Sequence, residues 1–89
     1  MQRVFRTNPA IVWKLVHDEA VLLNPANGEY FGLNEVGSEI WKTIDGKKSL
    51  AEISALLLAE YDVVPTVLEA DMLELIGELL NKGLIQETA

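Results

Sequence analysis

Apolar residues change their spacing once along this chain. Up to residue 33 they come in short runs or alternate; from residue 36 they recur every three or four positions. The first pattern is that of half-buried strands, the second that of amphipathic helices. Ile11, Trp13 and Leu15 alternate with Val12, Lys14 and Val16, which predicts a strand over 11–16. His17-Asp18-Glu19 is a polar turn, and Ala20–Leu23 predicts a second strand over 20–23. Asn24-Pro25-Ala26-Asn27-Gly28 is a second turn, in which Asn-Gly is a hairpin signal because both residues accept φ > 0. A third strand follows over 29–33, and Val4-Phe5-Arg6 reads as a short extended lead-in.

Val36, Ile40 and Ile44 share one helical face, predicting a helix over 35–44 with Asn34 as its N-cap. Asp45-Gly46 is its expected stop, with Gly supplying a left-handed exit. Ser49-Leu50-Ala51-Glu52 is a capping box that opens a second helix over 50–61, with Leu50, Ile53 and Leu57 as its core stripe. Thr66-Val67-Leu68-Glu69 reads as another capping box, just after Pro65, and predicts a third helix over 67–82. Gly83 ends it, with Leu84-Ile85 folding back in a Schellman stop. The expected order is β-β-β-α-α-α within a single domain, 1–89. Three helices on one face of a three-stranded antiparallel meander make an α+β fold. The short link between the last two helices makes it winged helix-turn-helix-like. With consecutive strands paired, the third strand is an edge.

The charge is lopsided. Residues 49–89 hold eight acidic side chains and one basic, Lys82, and so carry all of the net charge of −7; residues 1–48 balance. The predicted third helix presents Glu69, Asp71, Glu74 and Glu78 against Lys82 alone, the wrong sign for a helix that meets phosphates. DNA binding, the usual work of a winged helix, is thereby disfavoured. The chain has no cysteine, so disulfides and thiolate chemistry are excluded. Met1–Arg6 has charge but no apolar segment behind it, and the longest apolar runs are too short to span a bilayer; a cytoplasmic protein is expected. His17 stands beside Asp18 and Glu19 in a turn, without ligand spacing, and reads as solvated. Asp71, Glu74 and Glu78 share a face with nothing to separate their pKa values, and no phosphate-binding glycine loop is present. No catalytic residue, cofactor or metal site is predicted.

One feature of the third helix goes beyond core packing. Its apolar residues from Leu68 to Leu80 cover an arc of roughly 160° at ~100° per residue, where facing one core takes about 100°. One margin of that arc, Leu68, Met72 and Leu75, could line a groove beside the third strand. An open strand edge beside an apolar helical margin accepts an extended peptide by β-augmentation. Tyr30, Phe31, Gly32 and Leu33 would form the edge, with Gly32 letting a peptide backbone approach; Leu68, Asp71, Met72 and Leu75 would form the wall. Trp41, four residues after Gly37, is expected in the core with its ring over that glycine. The rival readings are an architectural or dimerisation module whose edges pair with each other, and a DNA-binding winged helix.

The run from Val21-Leu22-Leu23-Asn24 through Tyr30-Phe31-Gly32-Leu33-Asn34 to Ile40-Trp41, then Asp45-Gly46, Leu50-Ala51-Glu52-Ile53, Glu60-Tyr61-Asp62-Val63 and Lys82-Gly83-Leu84-Ile85, resembles the PqqD-like family. The resemblance spans about Val12 to Ile85. It implies a small recognition domain for ribosomally made, post-translationally modified peptides, itself not an enzyme. Such a domain binds the leader of a precursor peptide as an added strand, between the edge strand and the third helix. It delivers the precursor to a modifying enzyme such as a radical S-adenosylmethionine protein on the pyrroloquinoline quinone pathway, or to a leader peptidase in lasso-peptide pathways. The edge role passes to Tyr30, Phe31, Gly32 and Leu33; the helix matches by position and pattern. The Tyr-Phe-Gly-Leu-Asn form resembles free-standing members more than the founding one.

Overall fold

The computed structural model describes residues 2–88. The element order is β1 (Phe5–Thr7), β2 (Val12–Val16), β3 (Glu19–Asn24), β4 (Glu29–Gly32), α1 (Glu35–Thr43), α2 (Leu50–Glu60), α3 (Pro65–Asn81) and β5 (Ile85–Glu87). β2, β3 and β4 form an antiparallel sheet in that order, so β2 and β4 are both edges. The three helices cover one face of this sheet, and the architecture is α+β, as expected. β1 and β5 form a second, two-stranded antiparallel sheet. The lead-in is therefore a true strand, and its partner is a C-terminal strand absent from the expected β-β-β-α-α-α order.

The two hairpins turn by different means. His17 and Asp18 both have positive φ, 52° and 66°, and close a two-residue turn under the Val16–Glu19 pair. That is the backbone twist a tight hairpin needs. In the second turn only Gly28 is left-handed, at φ 74°, and not Asn27. Asn24 does the work instead: its Oδ1 accepts from the Ala26 N–H at 3.0 Å and its carbonyl from the Gly28 N–H at 2.8 Å. Pro25 to Gly28 is thus a four-residue loop.

The helix ends follow local chemistry with two exceptions. Asn34 caps α1, its Oδ1 accepting from the Gly37 N–H at 2.7 Å, and Ser49 and Glu52 complete a capping box on α2. α3 starts at Pro65 with Val64 as N-cap and no side-chain cap, so the Thr66 capping box does not form. Proline fits the first helical position, where its missing N–H costs nothing, and this moves the start ahead of Thr66. α1 stops at Ile44 in extended conformation, before Gly46. Gly46 takes φ 80° further along, where its N–H reaches the Phe5 carbonyl at 2.9 Å in β1. The end of α3 is a Schellman stop: Leu84 N–H donates to Leu79 O at 2.9 Å, Gly83 N–H to Leu80 O at 3.1 Å, and Gly83 has φ 70°.

The core runs between sheet and helices. Ala20 and Leu22 of β3 meet Ile40 and Trp41 of α1, Ile53 and Leu57 of α2, and Leu68, Met72, Ile76 and Leu79 of α3. Trp41 is buried, and its ring stands edge-on to Trp13 of β2, centroids 6.1 Å apart. The atoms nearest to where a Cβ of Gly37 would stand belong to Asn34, Leu33 and Leu75. Phe5, Leu84 and Ile85 close the far side of the core, which explains why β1 and β5 are held together.

Candidate functional site

The open edge of β4 is set by hydrogen-bond alternation. Leu33 N–H donates to the Ala20 carbonyl at 2.9 Å, so Phe31 and Glu29, two and four residues back, also face β3. Tyr30 and Gly32 then turn their N–H and C=O groups outward, to the side where no strand lies. A strand laid alongside would find donors and acceptors at these two residues.

A groove of about 350 Å³ runs beside this edge. Phe31, Gly32 and Leu33 form one wall, Val36, Gly37 and Ile40 of α1 the floor, and Asp71, Glu74, Leu75 and Glu78 of α3 the other wall. The α3 residues recur at i, i+3, i+4 and i+7, one helical stripe. Gly37 opens the floor: a Cβ there would stand 3.1 Å from Asn34 Oδ1 and 3.5 Å from Leu75 Cδ2. The groove is apolar beneath and acidic above. Among the described residues Asp71, Glu74 and Glu78 form no salt bridge.

Ser38 holds the corner together. It is buried on α1, its Oγ accepts from the Ala20 N–H at 2.6 Å, and it donates to the Asn34 carbonyl at 2.7 Å. One hydroxyl thus ties β3 to the strand-to-helix junction that shapes the groove. Ser38 escaped the sequence reading; a serine set one turn inside a capped helix, among apolar neighbours, was the available signal.

Of the predicted site residues, Phe31, Gly32, Leu33, Asp71 and Leu75 come together in the groove. Tyr30 is 71% exposed and projects to the opposite, outer face of the sheet, since it alternates with Phe31. Leu68 and Met72 are fully in the core, beneath the wall rather than on it. α3 is rotated so that Leu68, Met72, Ile76 and Leu79 face inward, which brings Glu74 and Glu78 to the groove instead. Gly32 has open space where a Cβ would stand, so no packing within this chain requires glycine there. Among the described residues no group of His, Asp or Glu side chains is placed to hold a metal ion. Among the described residues no helix is long and apolar enough to cross a membrane.

Known proteins share both the sequence and the shape. Residues 19–85 match the family model of coenzyme PQQ synthesis protein D. The PqqA binding protein of Xanthomonas oryzae pv. oryzae is 32% identical over 85 residues, covering 96% of this chain and 90% of that protein. The bifunctional coenzyme PQQ synthesis protein C/D of Methylorubrum extorquens is 30% identical over 71 residues, 80% of this chain but 18% of that longer protein. Among solved structures, TbiB1 in complex with the TbiA(beta) leader peptide superposes with a TM-score of 0.82 at 37% identity, covering 94% of this chain and 98% of that one. Lasso peptide synthetase B1 complexed with its leader peptide superposes at 0.79 with 30% identity, covering 92% and 96%. With a matching family model over residues 19–85 and a relative alike over nearly its whole length, this chain belongs to the PqqD family.

Proposed function

We propose that this protein binds the leader segment of a ribosomally made precursor peptide and presents it to a modifying enzyme, acting as a peptide chaperone without catalysis of its own. One observation carries the reading: the outward N–H and C=O groups of Tyr30 and Gly32 run along a groove whose floor is apolar. A leader strand added there gains main-chain hydrogen bonds from β4 and places alternate side chains against Phe31, Leu33 and Leu75. Leu68 and Met72 support the wall from beneath, and Asp71 stands on its rim. The leader-bound structures of similar chains support the same reading. The partner enzyme is a radical S-adenosylmethionine protein or a leader peptidase. Residues 1–89 act as one recognition domain in the cytoplasm, where ribosomes make the precursor. The gain is local concentration: a tethered precursor meets its enzyme at an effective concentration up to about millimolar.

Hydrogen exchange on the protein titrated with a synthetic cognate leader tests this. The Tyr30 and Gly32 amides should become protected as the leader saturates. Protection confined to β2 or α2 would show that the peptide binds elsewhere.

A further inference from the structure

The face of the β2–β3–β4 sheet turned away from the helices is apolar and uncovered. Because Ala20 and Leu22 point into the core, Val21 and Leu23 point out, and register places Val12, Leu23 and Tyr30 in one cross-strand row. Lys14, Val21 and Gly32 form the next row, and Val16 follows opposite Glu19. Val12 is 60% exposed and Val16 42%. Scattered surface apolar residues are ordinary, but a contiguous set on a flat sheet marks an interaction site.

We propose that this outer face is the docking surface for the enzyme that modifies or cleaves the bound precursor, a proposal that rests on the leader-binding reading. Continuity with the peptide edge carries it. Tyr30 and Gly32 offer their backbone to the leader and their other side to this face. A leader strand beside β4 adds its own outward side chains to the row Val12–Leu23–Tyr30. The enzyme docked there touches carrier and leader together, so leader binding strengthens its recruitment. A second copy of this chain fits poorly: each copy carries net charge −7, so two copies repel as they approach. The occupant is instead a different protein, with an apolar patch and a carboxylate for Lys14. The match to one part of a longer, bifunctional relative places this kind of domain beside a second activity in one chain.

Benzoyl-phenylalanine placed at Val12 or Val16 and irradiated in producing cells should give an adduct with the precursor-modifying enzyme. The same photoprobe at exposed Leu73 of α3 should not. Omitting the precursor gene should lower the adduct yield severalfold. The double variant Val12→Glu, Val16→Lys keeps favourable neighbours in Lys14 and Glu19, so the sheet should still form. It should reduce conversion of the precursor tenfold or more while its Kd for a synthetic leader stays that of the wild type. Adducts between two copies, enzyme adducts only from Leu73, or undiminished conversion by the double variant would overturn the docking surface. A wild-type protein that fails to bind the leader would instead overturn the peptide-binding reading.

Discussion

The sheet has two open edges, β2 and β4, and they differ in what stands beside them. On β2 all five residues are exposed, and Trp13 and Leu15 turn their backbone groups outward, since Val16 pairs with Glu19 across the tight turn. By main-chain chemistry alone β2 is as good a template as β4, and its side chains are more apolar. What β2 lacks is a wall. α3 stands beside β4 and, with α1, encloses the groove there, while Trp13 and Leu15 on the helix side of β2 stay 41% and 44% exposed. An unpaired edge of either kind supplies hydrogen bonds of about 0.5–1.5 kcal/mol each; only a wall alongside adds pockets that can select side chains.

The largest perturbation tests what keeps β2 attached at all. Trp41→Ala removes the ring against which Trp13 packs and should cost about 3–5 kcal/mol in urea denaturation, a large share of the stability of so small a domain. Exchange protection should fall first in β2. A folded variant that has lost leader binding would place Trp41 in the site instead of the core.

Next comes a proline on each edge. Gly32→Pro deletes an outward N–H that no protein group uses, so it should weaken leader binding roughly tenfold, about 1.4 kcal/mol, with little loss of stability. Leu15→Pro makes the same deletion on β2 and should leave leader affinity unchanged. Calorimetric titration of both variants distinguishes the edges; equal losses would erase the distinction drawn between them.

The wall can be tested by charge. Asp71→Lys with Glu78→Lys should slow association with a leader carrying Lys or Arg and flatten its salt dependence, with roughly 0–1 kcal/mol per pair at stake in affinity. Stopped-flow association rates across ionic strengths would show it. Unchanged rates and salt slope would make the acidic rim a matter of solubility alone. Leu75→Asp, in the α3 wall of the groove, should instead raise the dissociation rate.

The smallest effect lies away from both edges and serves as their control. Asp45 accepts from the Lys48 ammonium at 2.6 Å and from the backbone N–H groups of Lys47 and Lys48, and these hold its carboxyl well below the usual carboxylate range. A depressed folded value means that the stabilisation is present above the unfolded value, 3.8, and is lost as pH falls below it. Asp45→Asn should therefore flatten the pH dependence of stability below about pH 4, a small change at so exposed a group, without altering leader binding at neutral pH.

Much of this was legible in the sequence because the signals are local. Asn34, the Ser49–Glu52 pair and Gly83 act within one turn of where they stand, and the structure uses all of them. Thr66 misled because Pro65 provides a competing start that needs no side-chain bond. β5 was missed because its three residues pair with β1 across almost the full length of the chain, and so short a strand has no period of its own. The rotation of α3 was hidden for another reason. Its apolar arc is wide enough to bury either margin, and only packing against the sheet decides that Met72 goes inward and Glu78 to the groove. β2 alternates, but with apolar residues on both faces, so its alternation did not tell its core side from the outer one.

The pairing of β1 with β5 has a geometric consequence. Arg3 grips Glu87 with two hydrogen bonds of 2.8 Å, and the Thr88 N–H donates to the Val4 carbonyl at 2.9 Å, so the first and last described segments leave the body side by side. A fold whose entrance and exit are adjacent is a cassette. It can be spliced into a host loop with little distortion of either partner, and a permutant joined across this seam and reopened within Pro25–Asn27 should still fold. A join made at this seam leaves the β4 edge outside it.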